Sequence, residues 1–106
     1  MNHSRMIEAC LACFAACEIT AAESIKISNA DYLRCIALCR DCIELCQLCI
    51  KLDLRDSDYR HQIMKVCIEN CLDCAKECER FPNSEYHVQS AKACRVCAEE
   101  MQKMLN

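Results

Sequence analysis

Residues 35–49 read CIALCRDCIELCQLC, with Cys35, Cys39, Cys42, Cys46 and Cys49 separated by alternating steps of four and three. Those steps follow the 3.6-residue turn of an α-helix, so the five sulfurs form one stripe along one helix face. With the cysteines at heptad positions a and d, Ile36, Ile43 and Ile50 fall at e and Leu38, Leu45 and Leu52 at g. Sulfur then faces the bundle axis, aliphatics seal its flanks, and Arg40, Glu44, Gln47 and Lys51 take the solvated side.

The same spacing recurs in Cys10, Cys13 and Cys17, in Cys67, Cys71, Cys74 and Cys78, and in Cys94 and Cys97, so four helices each carry a thiol face. Breaks in the pattern bound them. Helix 1 is expected from about Ser4 to Ile27, with Thr20, Ser24 and Ile27 continuing its axis face. Ser28-Asn29-Ala30-Asp31 supplies a Ser-x-x-Asp start for helix 2, which reaches about Leu52. The polar run Asp53-Leu54-Arg55-Asp56-Ser57-Asp58 connects to helix 3, ending near Arg80. Phe81-Pro82-Asn83-Ser84 then turns the chain, with Ser84 placed to cap helix 4.

Three short connections between helices of about twenty residues predict an all-α fold, an antiparallel up-down-up-down four-helix bundle with a cysteine-lined core. The 106 residues, 1–106, are expected to form a single metal-storage domain. Glycine is absent and proline occurs once, which argues against an all-β or zinc-ribbon design.

A net charge of −3 with mixed signs gives no reason to expect nucleic acid as a partner. Polar Met1 to Arg5, followed by Glu8, Glu18 and Glu23, interrupts any run long enough for a signal-peptide core or membrane span. A cytoplasmic chain without a membrane partner is therefore expected. In a reducing compartment fourteen cysteines read as ligands rather than disulfides.

A bundle core is ordinarily Leu and Ile, because cysteine buries far less apolar area. Lining the axis with thiols sacrifices stability unless something occupies it, and the occupant that suits thiolates is a soft metal. Zinc wants four ligands and leaves two net negative charges on each Zn(Cys)₄ unit, so a row of them is costly to bury. Cu(I) is monovalent and accepts two or three thiolates. Bridging thiolates then give a nearly neutral column with about one ion per cysteine, or ~14 per chain.

The five CxxC pairs are what a helical stripe produces, and the thioredoxin motif needs a βαβ setting that this pattern lacks. A ferredoxin run closing in Cys-Pro is absent, since Pro82 follows Phe81. A thiol redox or disulfide-switch protein, and a zinc or iron–sulfur binder, stand as the alternatives. No Ser/His/Asp arrangement, phosphate loop or paired carboxylates point to an enzyme.

Methionine and histidine extend the stripe. Met6 and Met64 lie one turn before Cys10 and Cys67, while Met101 and Met104 prolong the face of Cys94 and Cys97. In an antiparallel bundle all four gather at one end beside Cys49. His3 projects on that face and His61 lies on its flank. Thioethers and imidazoles bind Cu(I) without losing a proton, which suits an uptake gate; core filling is the plainer role for such methionines. His87 falls at the opposite end near Cys35 and Cys78, as a terminal ligand or a satisfied buried histidine, and Tyr32 is placed there to plug the tube.

The segments CLACFAAC (10–17), CIALCRDCIELCQLC (35–49), CIENCLDCAKEC (67–78) and CRVC (94–97) together make the chain resemble the bacterial copper storage proteins. The resemblance spans the whole chain. It implies a four-helix bundle that stores many Cu(I) ions without catalysis, as a homotetramer, in a family with cytosolic and exported members. It also implies an open end with gate positions at His3, Met6, His61, Met64, Met101 and Met104. Exchange with a copper chaperone or a copper-requiring acceptor fits such a role. Helix 4 departs in having two cysteines, and helix 1 in having Thr20 and Ser24 where thiols could stand, which predicts lower capacity at the closed end.

Overall fold

The computed structural model describes residues 3–106. Four helices follow one another: α1 His3–Ile27, α2 Leu33–Leu54, α3 Arg60–Cys78 and α4 Glu85–Leu105, with a turn of 3₁₀ helix, Ala30–Tyr32, leading into α2. A twenty-residue helix is about 30 Å long, whereas the five or six residues joining each pair reach at most about 20 Å. Consecutive helices must therefore run antiparallel. α1 packs against α2 and α4, and α3 against the same two, which closes a square bundle measuring 41 × 18 × 17 Å.

The heptad assignment holds along α2. All five of its cysteines are buried, Leu38 and Ile43 are buried beside them, and Arg40, Glu44, Gln47 and Lys51 are exposed. Ile7, Phe14, Leu45, Ile50, Ile63 and Ile68 pack as a half-buried apolar sleeve around the sulfur. That sleeve supplies the hydrophobic burial the small thiols do not.

Several boundaries differ from the sequence expectation. Ser28 does not start helix 2. It adopts a left-handed φ of 59° and ends α1, its N–H reaching the Ser24 carbonyl at 3.2 Å. Asn29 is the cap instead, its side chain accepting from the Asp31 N–H at 2.9 Å. With no glycine in the chain, left-handed ends fall on Ser28 and, after α2, on Asp56 (φ 56°), where the Ser57 N–H closes back on the Leu52 carbonyl at 2.9 Å. α2 runs two residues past Leu52, which brings Asp53 into the buried stripe rather than the connection. α3 stops at Cys78, short of Arg80. Ile27 is 51% exposed, because α1's axis face ends at Ser24. Ser84 occupies the N-cap position of α4 without capping it; its hydroxyl turns to His87.

Candidate metal centre

Each helix brings an ordered set of side chains to the axis. α1 contributes Met6, Cys10, Cys13, Cys17, Thr20 and Ser24, and α4 answers with Met101, Cys97, Cys94, Ser90 and His87. α2 and α3 carry sulfur for longer: Cys49 through Cys35 on one, and Met64 through Cys78 on the other. All fourteen cysteines are free and buried.

The thiols meet across helices at van der Waals and weak hydrogen-bond distances. Cys13 Sγ lies 3.3 Å from Cys42 and 3.5 Å from Cys94; Cys42 lies 3.6 Å from Cys71; Cys10 lies 3.6 Å from Cys97; Cys35 lies 3.4 Å from Cys78. Two groups of four sulfurs, Cys13/Cys42/Cys46/Cys71 and Cys13/Cys17/Cys42/Cys94, have every Sγ within 4.8 Å of the others. Three groups of three, Cys10/Cys46/Cys97, Cys17/Cys39/Cys74 and Cys35/Cys39/Cys78, flank them. Every one of these groups shares a member with another, so a sulfur can serve two adjacent ions. Cys49 and Cys67 belong to none of these groups; Cys67 Sγ lies 4.0 Å from Cys46 and 3.9 Å from Cys71.

Crowding decides which thiols ionise readily. A thiolate at Cys42 is stabilised by S–H groups of Cys13, Cys17, Cys46 and Cys71, which holds it well below the ordinary thiol range. Having one thiolate among them makes a second harder to form, and Cys46, Cys94 and Cys97 are pushed up by their thiol neighbours and by burial. The ends differ. Cys46 and Cys97 lower Cys10 to about 6. At the far end Cys39 pulls Cys35 down, but Cys78 and burial outweigh it and the thiol rises to about 11.

The four methionines stand at one end of the bundle, where α1 and α3 begin and α2 and α4 finish. Met6, Met64 and Met101 are fully buried and Met104 is half-buried. Met6 Sδ accepts from Cys10 Sγ at 3.4 Å, joining thioether to thiol. His61 is exposed, outside the sulfur groups, and the side chain of His3 lies outside the described residues. The same end holds the buried Asp53; Cys67 and burial push the Cys49 thiol up, and the Asp53 charge adds the least to that rise. Asp53 was missed in the sequence, though its position four residues after Cys49 continues the stripe.

The opposite end is closed by other chemistry. His87 is fully buried, with Nε2 3.3 Å from Ser24 Oγ and Nδ1 2.6 Å from Ser84 Oγ. Both ring nitrogens therefore have hydroxyl partners, the arrangement of a satisfied buried histidine, and ligation would require giving one up. Tyr32 and Phe81 pack on the imidazole with centroids 4.9 and 4.8 Å away, and Tyr86 lies at 5.4 Å. One layer inward, Thr20 donates to the Tyr86 carbonyl at 2.9 Å and Ser90 to the Ala16 carbonyl at 3.0 Å, while the two hydroxyls touch each other. The sequence showed Thr20 and Ser24 as missing thiols; their bonding to α4 carried no periodic signal.

A family model described as "Copper storage protein" (Csp) matches residues 1–106. The chain belongs to the copper storage protein family. Among its relatives is the "Uncharacterized cysteine-rich protein YhjQ" of Bacillus subtilis (strain 168), 35% identical over 100 residues that span 92% of this chain and 91% of YhjQ. The solved structure of Cu(I)-bound copper storage protein BsCsp3 superposes with a TM-score of 0.93 at 31% identity, covering all of both chains. Apo-Csp3 from Bacillus subtilis superposes with a TM-score of 0.88 at 30% identity, over 97% of this chain and 98% of that one. This family member shares their four-helix architecture from end to end. Among the described residues, no helix is long and apolar enough to cross a membrane.

Proposed function

We propose that this chain stores and buffers Cu(I) in the cytoplasm, as a row of thiolate complexes inside the bundle, without catalysis. The observation that carries the reading is the overlap of buried sulfur groups along the axis. Cu(I) is soft and monovalent and is satisfied by two or three thiolates, so bridging sulfurs yield a nearly neutral column that a dry bundle tolerates. The Cu(I)-bound state of the structural relative BsCsp3 supports the same chemistry.

The ligand set is the fourteen cysteines, with capacity near one ion per thiol and lower at the His87 end, where α1 and α4 supply hydroxyls. Met6, Met64, Met101 and Met104 form the uptake end. Their thioethers pass an ion to Cys10, which Cys46 and Cys97 lower to about 6, so its thiol gives up a proton to an arriving ion more easily than an ordinary one. His61, exposed three residues before Met64, is an outer landing ligand, and His3 joins it. A copper chaperone or copper-requiring acceptor exchanges ions at this end. A homo-oligomer, a tetramer as the family resemblance implies, assembles through apolar outer surface such as Leu11, Ile19, Ile25 and Leu48, all more than a third exposed.

Anaerobic titration of the reduced protein with Cu(I), followed by metal analysis after gel filtration, tests the reading. Roughly one Cu(I) per thiol should be retained, with about one proton released per ion. Retention of one or two ions, or loading without acidification, would overturn it in favour of a redox or chaperone-type role.

A further inference from the structure

The two groups of four sulfurs at the middle of the bundle have Cys13 and Cys42 in common and no other member. Two tetrahedra that share two corners share an edge. A tetrahedral ion with metal–sulfur bonds of about 2.3 Å sets its sulfurs about 3.8 Å apart. The spacings already present are 3.9 Å for Cys42–Cys46, 3.6 Å for Cys42–Cys71, 3.5 Å for Cys13–Cys94 and 3.7 Å for Cys17–Cys94. The shared edge, Cys13–Cys42, is the shortest at 3.3 Å. That is the sense of distortion edge-sharing favours, since two cations repel across the edge and draw its sulfurs together.

We propose that Cys13, Cys17, Cys42, Cys46, Cys71 and Cys94 form, in the copper-free protein, a binuclear centre for divalent d¹⁰ ions of the zinc and cadmium class. Cys13 and Cys42 are its two bridging thiolates. The cost that disfavours a row of separate tetrathiolate zinc sites is relieved here. Two separate sites would bury four net negative charges, whereas two ions on six shared thiolates bury two. The stoichiometry is bounded at two, because the remaining groups offer three sulfurs each and two of them draw on Cys17 or Cys46. Two ions on six thiolates release at most three protons each, less the share of Cys42, which ionises readily, against about one per Cu(I). The six ligands come from all four helices, so the divalent ions clamp the bundle at its centre until softer Cu(I), which thiolates prefer, displaces them. This site does not depend on the cuprous reading.

The test is anaerobic titration of the reduced full-length protein with Cd(II) and, in parallel, with Co(II) as a visible reporter. Saturation is expected at two ions per chain with between two and three protons released per ion and a tetrahedral tetrathiolate cobalt spectrum. Cadmium-113 NMR should give two resonances split by coupling through the shared sulfurs. Cys42→Ala should reduce binding from two ions to one at most, and Cys35→Ala should leave it at two. Uncoupled cadmium signals in the unaltered chain, which need no variant to fold, would overturn the proposal. So would saturation at another number, or two ions retained by helical Cys42→Ala protein. A parallel Cu(I) titration separates the two readings: full Cu(I) capacity without cadmium binding refutes this site alone, while failure of both refutes the store as well.

Discussion

At one end the bundle closes its axis with the buried thioethers of Met6, Met64 and Met101; at the other, five turns away along α1, it closes with Ser24 and His87 beneath the rings of Tyr32 and Phe81. Both ends exclude water from the axis, but with different atoms. Thioethers make no directional bonds that must be broken before a soft ion passes, and they carry no proton to displace. The hydroxyl and imidazole layer is tied by bonds that cross from α1 to α4, and opening it leaves buried polar atoms unsatisfied. The two ends therefore differ in what a passing soft ion has to break. Cys10, beside Met6, is held near 6, and Cys35, beside the aromatic plug, near 11, so the thiol nearer the methionines also ionises more easily.

The strongest way to break this comparison is to alter each end separately. Replacing Met6, Met64, Met101 and Met104 by Leu keeps apolar volume while removing the thioethers. Uptake should slow about tenfold, as expected for losing about 1.4 kcal/mol of ligation on the way in, with final capacity little changed. The pair Cys35→Ser and Cys78→Ser should do the reverse, lowering capacity by about two ions while the rate holds. Stopped-flow uptake and endpoint metal analysis read both; a methionine variant that loads at the normal rate would remove the gate.

His87→Phe keeps the ring packing and deletes both hydrogen bonds. The loss should be about 1–2 kcal/mol, or several degrees in the apo melting temperature, by calorimetry. If the methionine end is sealed only by packing, Met64→Leu should move the same temperature far less.

The two thiols also predict opposite pH dependences for apo stability. Cys10 binds its proton less tightly in the folded chain than the ordinary value of 9.0, so its contribution is complete above about pH 9 and is lost as pH falls through about 6. Cys35 binds more tightly, so its contribution is complete below about pH 9 and is lost as pH rises through about 11. Melting curves should show Cys10→Ser flattening the lower limb and Cys35→Ser the upper. Of the two ends, copper at Cys35 should be displaced before copper at Cys10 on acidification, because protons compete better for the thiol that holds them harder.

The smallest effects concern the turns that flank each end. Ser28→Gly should gain up to about 1 kcal/mol by relieving a left-handed serine. Asp56→Gly should gain less, since aspartate tolerates that conformation and its carboxylate lies 3.3 Å from Arg60. Chemical denaturation of the apo chain distinguishes them.

Most of the bundle could be read from residue spacing. Cys35 to Cys49 at steps of three and four, with Ile and Leu at the flanking positions, settles helix, face and core together, because sulfur, aliphatic and charge each have one favourable place around a helix. Short connections settle the antiparallel order, because the chain cannot span the bundle's length in five or six residues. From these follow the sulfur axis and the end at which methionines collect. What spacing could not supply is pairing across helices. Whether Cys13 meets Cys42 or Cys71 more closely, and that Ser90 reaches the Ala16 carbonyl, depends on the axial stagger between helices, which side-chain packing sets. Ser28, Asn29 and Ser84 show the same limit at the turns. Ser84 reads as a cap but turns to His87 three residues on, and the other nitrogen of that ring meets Ser24 only when α1 and α4 come together.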